Sequence, residues 1–336
     1  MIFLPFDTLP KDTPTRLQLL QDYFTEHCVS SNLIGDLWSI DLQFPDFPEY
    51  YIDPHIMEGI AWWKSDLTIS EIPFAVKTNQ DFQLSLNDSW TLLAWSQWLS
   101  TYVERMGFPN EIIILHVDDH DDLMSPRIWD GKFGWNDAIT GENVSLLKPN
   151  SIAKAIKSGA IGIGSFIVPL LHSIQRVQIR HLCATTYSVT RKGLYSLTSN
   201  HVQDNLLNTK NKRIATKLQL CQNLSSVTTN NSTYRVTANL DEWLKDLPTD
   251  IPILLHIDMD YFNNRFNGDS DWLMHRKRYD PSYQEIALSI SSMFDSLDRK
   301  KLIDKISNIA ISLSPGFFPA EFWEASIAQI QYHLNK

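Results

Sequence analysis

The sequence contains few cysteines, and those it has lie far apart. Only three occur in 336 residues, Cys28, Cys183 and Cys221, and none forms a CxxC pair. Disulfide-rich secreted domains and thiolate zinc sites need clustered cysteines, so this spacing argues against both classes. The first residues lack the basic segment of a signal peptide and reach Asp7 and prolines early. We therefore expect a cytoplasmic protein with reduced thiols.

The sequence also lacks long apolar runs and blocks of basic residues. No apolar run approaches the roughly 20 residues of a membrane-spanning helix, so we expect no membrane partner. The 29 basic residues are outnumbered by 39 acidic ones, which gives a formal net charge of −10. This balance argues against a nucleic-acid partner, because phosphate binding needs basic patches. An acidic surface would instead tolerate or attract a cationic substrate.

Apolar residues, by contrast, are plentiful enough for a large core, at 43% of the chain. Three nearly continuous apolar runs, Glu111–Asp118, Ile251–Asp260 and Ile306–Pro315, are typical of strands that are covered on both faces. Helical patterns alternate with them, such as Asn87–Gly107, which has capping residues at its start and a glycine at its end. The sequence therefore predicts one α/β domain over residues 1–336, with a mostly parallel central sheet flanked by helices.

Two further segments, Ser151–Gly159 and Asp280–Lys300, have helical patterns, and the second has Pro281 near its start. The stretch from about 196 to 240 differs from the rest, because it is rich in serine, threonine and asparagine. We expect it to be a peripheral polar insertion with short β-ribbons rather than a second domain.

Two of the three predicted strands end in clusters of acidic residues. After the first, Asp118, His120 and Asp122 alternate, so an extended backbone would place all three on one face. After the second, Asp258 and Asp260 do the same. If these strands are neighbours, four carboxylates and one imidazole converge at the carboxyl end of the sheet, where α/β folds bind ligands. Two divalent cations would relieve the repulsion, and oxygen-rich donors favour Mn²⁺ over Zn²⁺.

Each cluster alone would also fit a solvated acidic turn, but two such clusters after buried strands favour a metal site. An EF-hand loop is excluded, because its sixth position would be Leu123 rather than glycine. His116 and His256 precede the clusters in phase with the aspartates. They would either orient the carboxylates through hydrogen bonds or be neutral core histidines. Asp119 and Asp121 are expected to point away from the metals.

The motifs resemble the arginase and ureohydrolase superfamily, in which Asp-x-His-x-Asp at a strand end is followed far downstream by Asp-x-Asp. The stretches Leu115–Leu123, His256–Phe262 and Ser312–Phe317 are most similar to the peptide arginases of that superfamily, and Gly162–Leu171 extends the resemblance. Those enzymes convert arginine side chains of ribosomally synthesised peptides to ornithine. The resemblance implies a three-layer arginase-like fold with its metal site at the carboxyl ends of the strands.

The resemblance also implies roles for individual residues. Asp118 and Asp258 would bridge two Mn²⁺ ions, His120 and Asp260 would complete the shell of one ion, and Asp122 that of the other. In the mechanism that we expect, one of these aspartates, most simply Asp122, accepts the proton of the attacking water. The partner would be an arginine-containing precursor peptide, and the products would be urea and a peptidyl ornithine.

The sequence departs from the family pattern in two places. A histidine expected in the turn before the first strand is missing from Leu86–Trp90, where Asp88 is the best chemical substitute and His55, further upstream, is an alternative. At the end of the third strand, arginases that act on free arginine carry a glutamate that pairs with the guanidinium, and serines stand here instead. Glu321 and Glu324, one helical turn apart, are the candidate guanidinium partners.

Several alternatives stay open at this level. His172 and His275 are candidate proton donors to the leaving amine, and Trp129–Asp137 would either line a peptide groove or pack in the core. The function would alternatively be hydrolysis of a small guanidino compound, deacetylation by a single zinc ion, or metal or peptide binding without catalysis. The presence of both Asp122 and Asp260 favours two metals over one zinc. The sequence does not indicate an oligomeric state.

Overall fold

The computed structural model describes residues 2–25, 27–45, 51–131, 134–184, 192–208, 210–221, 231–248, 250–274 and 280–336. These residues form a twelve-stranded sheet and a separate three-stranded sheet. The strands, numbered along the chain, are β1 (Ile2–Pro5), β2 (Cys28–Ile34), β3 (Leu37–Gln43), β4 (Val76–Thr78), β5 (Gln83–Ser85), β6 (Glu111–Val117), β7 (Ile128–Gly131), β8 (Gly134–Asp137), β9 (Asn143–Val144), β10 (Arg176–Leu182), β11 (Gly193–Gln203), β12 (Lys212–Leu220), β13 (Ser232–Thr237), β14 (Ile253–Asp258) and β15 (Ile306–Ser312). The helices are α1 (Thr13–Tyr23), α2 (Ile56–Trp63), α3 (Thr91–Met106), α4 (Pro149–Lys157), α5 (Val168–Ser173), α6 (Leu240–Trp243), α7 (Tyr283–Arg299) and α8 (Trp323–Leu334).

The centre of the large sheet consists of parallel strands. The strand order is β4-β5-β15-β14-β6-β10-β13-β11-β12-β7-β8-β9. The six strands from β5 to β13 in this order run parallel to one another. The three apolar runs predicted from the sequence are β6, β14 and β15, and they are neighbours in the order β15-β14-β6. The predicted α/β class is therefore confirmed.

Alternate residues of β6 pack against helices on opposite faces of the sheet. Ile113 and Leu115 belong to a core that includes residues of α2, α7 and α8. Ile112 and Ile114 belong to a second core, with residues of α3, α4 and α5. Because both faces are covered, the strand has no solvated side, and this explains its continuous apolar sequence. The result is three layers, with the sheet between two layers of helices.

The sheet as a whole is mixed rather than mostly parallel. β11 and β12 form a long antiparallel hairpin beside β13, and β7, β8 and β9 continue the antiparallel part. The described residues of the polar region from 196 to 240 are therefore built into the sheet rather than peripheral to it, and β13 is the parallel neighbour of β10. Its strands are anchored by residues that are buried in the second core, including Leu197, Ile214, Tyr234 and Val236. Because serine, threonine and asparagine are frequent between these buried residues, the apolar pattern of the strands is difficult to recognise in the sequence.

The predicted helices form close to the expected boundaries. α3 follows a 3₁₀ turn at Asp88–Trp90 that is capped by the side chain of Asn87, and it ends at Gly107, whose φ of 79° suits glycine. α7 begins with a capping box between Ser282 and Glu285. None of the helices in the described ranges is long and apolar enough to cross a membrane.

The small sheet, with strand order β1-β3-β2, lies beside the antiparallel part of the large one. Its core contains Leu20 and Phe24, from α1 and the residue after it, and Ile40 from β3. Leu206, from the connection between β11 and β12, belongs to the same core. This shared packing places α1 and the residues after it next to the β11–β12 hairpin.

Candidate metal centre

The two acid clusters meet because β6 and β14 are adjacent and in register. His116 pairs with His256, and Val117 pairs with Ile257, across the two parallel strands. The next residues along each strand are Asp118 and Asp258, so both carboxylates emerge at the same edge of the sheet. The two strands are therefore neighbours, which is the condition under which the sequence predicted that the clusters converge.

Turns, rather than an extended backbone, bring the other acids together. β6 ends at Val117, and the carboxylate of Asp118 accepts a hydrogen bond from the backbone nitrogen of His120 at 2.6 Å. Asp122 then adopts a left-handed backbone with φ of 51°. In the second cluster, Asp258 caps a 3₁₀ turn and accepts a hydrogen bond from the nitrogen of Asp260 at 3.1 Å. The predicted alternation along an extended strand is thus wrong for these residues, although the side chains do converge.

Three groups of possible metal ligands share the carboxylate of Asp118. Within each group the ligand atoms lie within 4.8 Å of one another. The groups are Asp118 with His120 and Asp260, Asp118 with Asp88 and Asp258, and Asp118 with Asp122, His116 and His256. All six residues predicted as ligands, including Asp88 in place of the expected histidine, are therefore brought together.

The electrostatics of the cluster favour a bound cation. Burial, and then the charge of Asp260, raise the pKa of Asp118 to about 7. Burial and the charge of Asp118 raise the pKa of Asp122 well above its ordinary value. The oxygens Asp118 Oδ2 and Asp122 Oδ2 are buried and accept no hydrogen bond from any described residue. Carboxylate and imidazole donors with unsatisfied oxygens fit a hard or borderline divalent ion.

His120 lies between the two clusters. Its Nδ1 is 2.8 Å from Asp260 Oδ2 and 3.5 Å from Asp118 Oδ1. Burial alone would lower the pKa of His120, but the carboxylates of Asp260 and Asp118 raise it well above its ordinary value. A proton on His120 and a divalent cation would neutralise the charge of the same carboxylates, so protonation of His120 and metal binding compete.

Three histidines form a row beneath the acids, on three adjacent strands. His181 of β10 and His256 of β14 both pair in register with His116 of β6. All three are fully buried, and burial lowers the pKa of His181 to about 4 and that of His256 to about 3. The row is therefore neutral. His181 was not predicted from the sequence; its only signal is its place near the end of an apolar strand.

The histidine row holds the turn that carries the acids. His116 Nδ1 lies 3.0 Å from His256 Nδ1, so one ring donates to the other, and His116 Nε2 donates to the carbonyl of His120 at 3.1 Å. His181 Nε2 lies 3.0 Å from the carbonyl of Asp118. His116 Nε2 is 3.6 Å from Asp122 Oδ2, which is too long for a hydrogen bond. The row thus positions the acids mainly through their backbone, and the predicted carboxylate-orienting role of His116 and His256 stays a prediction.

Neighbouring polar residues also hold the clusters. Asp119 is buried, accepts a hydrogen bond from Asn264 Nδ2 at 3.1 Å, and belongs to none of the three ligand groups. Its backbone nitrogen donates to Asp260 Oδ1 at 3.1 Å. After β15, Ser314 Oγ donates to Asp258 Oδ2 at 2.6 Å. A serine that follows the third predicted strand therefore contacts a predicted metal ligand.

The predicted guanidinium partners lie away from the acids. Glu321 Oε1 accepts a hydrogen bond from Arg265 Nη1 at 2.6 Å, and Glu324 is exposed. His55, the alternative ligand, contacts Glu58 at 2.9 Å and joins no ligand group. The structure does not bring these residues together with the six ligands.

The remaining predicted residues also lie outside the ligand groups. His172 Nε2 lies 2.7 Å from the carbonyl of Ala215, to which it donates, and His275 lies outside the described residues. Trp129–Asp137 contributes β7 and β8, and residues 132–133 of this stretch are not described. None of the described residues of that stretch lines the cavity above the acids.

That cavity, which we call the acidic cavity, has a volume of about 450 Å³. Its polar lining includes five of the six predicted ligands: Asp88, His120, Asp122, Asp258 and Asp260. Its apolar lining comes from separate parts of the chain: Tyr51, Ile72, Leu86, Met124, Ile163, Pro315 and Phe317. Among the described residues, no lysine or arginine lines it. The cavity therefore combines apolar walls with a concentration of negative charge, which suits a metal ion, a cationic group, or both.

No protein-family model matches the chain, and no curated protein sequence matches it.

Proposed function

We propose that this protein is a binuclear-metal hydrolase of the arginase type, acting on arginine side chains of a ribosomally synthesised peptide. The observation that carries the proposal is the position of Asp118. Its carboxylate belongs to all three possible ligand groups, and those groups together contain the five ligands that the resemblance to peptide arginases assigns to this sequence, with Asp88 in place of the missing histidine. From the resemblance we also infer that the three-layer fold is arginase-like and that the substrate is a peptide.

The donor set supports two Mn²⁺ ions in preference to one Zn²⁺. Five carboxylates and one imidazole are available from the predicted ligands, which is more than a single zinc ion uses. When bound, the two ions would supply Lewis acidity and make a water molecule more acidic. His116 and His256 also belong to the third group, but their Nδ1 atoms are hydrogen-bonded to each other and His116 Nε2 donates to a carbonyl, so Asp88 is the residue that we propose in place of the missing histidine.

The cavity supports a substrate with an extended apolar stem and a cationic end. The side chain of arginine has this form, with methylene groups that would contact Leu86 or Phe317 and a guanidinium that would face the carboxylates. In the reaction, the oxygen of water bonds to the guanidinium carbon and the bond from that carbon to Nε breaks. Both protons of the water end on the leaving nitrogen: Asp122 accepts the first and passes it on, and the second comes from the hydroxyl that the attack leaves on the guanidinium carbon. The products are urea and the ornithine ammonium group, so atoms and charge balance.

The test is to incubate the protein with Mn²⁺ and an arginine-containing peptide and to record the peptide mass and the urea released. Each modified arginine should lose the mass of one CN₂H₂ unit and release one urea. Asp118→Asn should abolish this activity, because Asp118 is common to all ligand groups. Asp295→Asn, which removes the same charge from an exposed position on α7, should leave it unchanged.

Other outcomes would point to other functions. Urea from free arginine or agmatine, with no change in any peptide, would indicate a small-molecule ureohydrolase. One Zn²⁺ per chain and loss of acetyl groups from acetylated amines would indicate a deacetylase. Metal binding without any turnover would indicate a binding protein. The proposed site of action is the cytoplasm, where the three cysteines would stay reduced.

A further inference from the structure

A second cavity adjoins the acidic one, and we call it the arginine cavity. It has a volume of about 840 Å³, and Arg127 and Arg213 both line it. Thr25 and Met124 line both cavities. The two cavities therefore meet at these residues, although their charges are of opposite sign.

Arg213, which lines this cavity, has no anionic partner among the described residues. It lies on β12 and is half-buried, and its guanidinium carbon is 5.0 Å from the centre of the Tyr23 ring. Within the described part of the chain, its guanidinium forms no ion pair and no hydrogen bond, and its Nε is buried. A partly buried cation without an anion is unfavourable, because it has lost hydration without gaining a partner.

Among the described residues, the neighbouring charged groups do not neutralise Arg213. The guanidinium of Arg127 donates to the backbone carbonyls of Tyr23 and Gly159. The carboxylate of Asp204 accepts hydrogen bonds from the Tyr23 hydroxyl at 2.8 Å and from Trp129 Nε1 at 2.7 Å, and it does not line the cavity.

The remaining acid, Asp22, lies in an exposed position. It is the only acidic residue in the lining among the described residues, and it accepts a hydrogen bond from Gln18 at 2.8 Å. Because an exposed carboxylate remains hydrated, Asp22 does little to neutralise the partly buried Arg213.

We propose that the arginine cavity is an anion subsite, in which Arg213 binds the carboxylate of an acidic residue close to the target arginine in the peptide. This inference rests on the proposed function, which places the target arginine in the acidic cavity. Arginine pairs with a carboxylate through two parallel hydrogen bonds, and that geometry suits a side-chain acid. A peptide with both charges would span the two cavities and would be selected over one with arginine alone.

The test uses pairs of peptides with blocked ends and a single arginine among glycines and alanines. One member of each pair has aspartate, and the other has asparagine, at one position before or after the arginine. We expect at least one aspartate peptide to exceed its partner roughly tenfold in kcat/KM, mainly through KM. Arg213→Gln should reduce that preference to near unity, and Arg213→Lys should keep part of it.

Lys217→Gln is the matched control, because it removes the same charge from an exposed position on the same strand, outside both cavities. It should keep the full preference. Equal kcat/KM within every pair for the unmodified protein would overturn the subsite while leaving the peptide hydrolase intact. A preference for free arginine over agmatine that depends on Arg213, without preference among peptides, would also overturn it.

The subsite can be tested even if no peptide releases urea, in which case the proposed function fails. The dissociation constants of the same peptide pairs, measured by calorimetric titration of the unmodified protein, then test the subsite. Tighter binding of an aspartate peptide, weakened by Arg213→Gln, would support the subsite independently of catalysis. Equal dissociation constants within every pair would overturn it.

Discussion

The hydroxyl of Ser314 holds the carboxylate of Asp258 from one side, donating to Oδ2 at 2.6 Å. Ser314 has a φ of 42°, an unusual backbone for serine, and this conformation places its hydroxyl at the acid. The other oxygen, Asp258 Oδ1, accepts a hydrogen bond from the backbone nitrogen of Asp260. Both oxygens are thus fixed in direction before any cation binds.

Ser314→Ala should therefore weaken metal binding without removing a ligand. Loss of a group that orients a metal ligand typically reduces affinity about 10- to 100-fold. Titration calorimetry with Mn²⁺ would measure the change. Ser292→Ala, whose hydroxyl donates only to a carbonyl of its own helix, is the matched control. An unchanged affinity in Ser314→Ala would show that the contact does not orient a ligand.

The stability of the metal-free protein should fall as the pH rises. Burial raises the folded-state pKa of Asp118 from 3.8 to about 7, so the folded state holds more protons than the unfolded state between these values. A raised folded-state pKa gives stability that is lost as the pH rises through it. Asp258 and Asp122, whose pKa values are also raised mainly by burial, act in the same direction.

Thermal unfolding between pH 7.5 and 8.5, with metal removed, would measure this effect. The buried histidines are neutral when folded and almost entirely neutral when unfolded in that range, so their opposite contribution is small. We expect the melting temperature to fall with pH, and the fall to be smaller in Asp118→Asn and in the presence of Mn²⁺. A melting temperature that rises with pH in the unmodified protein, in Asp118→Asn and in the presence of Mn²⁺ would contradict the raised pKa values of these buried carboxylates.

The pair of His116 and His256 should show strong coupling of stability. Their Nδ1 atoms are 3.0 Å apart in a fully buried position, so removing one ring leaves the other nitrogen without its partner. Each single leucine substitution should destabilise the protein by about 1–3 kcal/mol. The double substitution should cost less than the sum, with a coupling of about 1 kcal/mol by chemical unfolding. Additive effects would show that the contact contributes nothing of its own.

Glu321 should matter for stability more than Glu324 does. Glu321 pairs with Arg265, whose Nε also lies 2.9 Å from Asp280, whereas Glu324 is exposed. We expect Glu321→Gln to lower the melting temperature and Glu324→Gln, its matched control, to leave it unchanged. If instead Glu321→Gln raises KM for an arginine peptide without altering the melting temperature, Glu321 binds the substrate guanidinium, as the sequence suggested.

The convergence of Asp118 with Asp258 was predictable, because two apolar runs of the same kind end in acids and parallel strands end at the same edge. The left-handed turn at Asp122 was not, because contacts made only in the folded protein determine it. His181 was missed for a related reason. Its role depends on strand register, which places it beside His116. Arg265 was missed as the partner of Glu321 because the two are 56 residues apart in sequence.

The position of β15 (Ile306–Ser312) determines when the site can form during synthesis. β15 is the last strand of the sheet along the described chain, yet it is an interior strand, third from one edge, between β5 and β14. Until a ribosome has released this segment, β14 has an open edge and Asp258 lacks the serine that orients it. Metal loading should therefore come late in biogenesis, and nascent chains that stall before β15 would present an open apolar strand to chaperones.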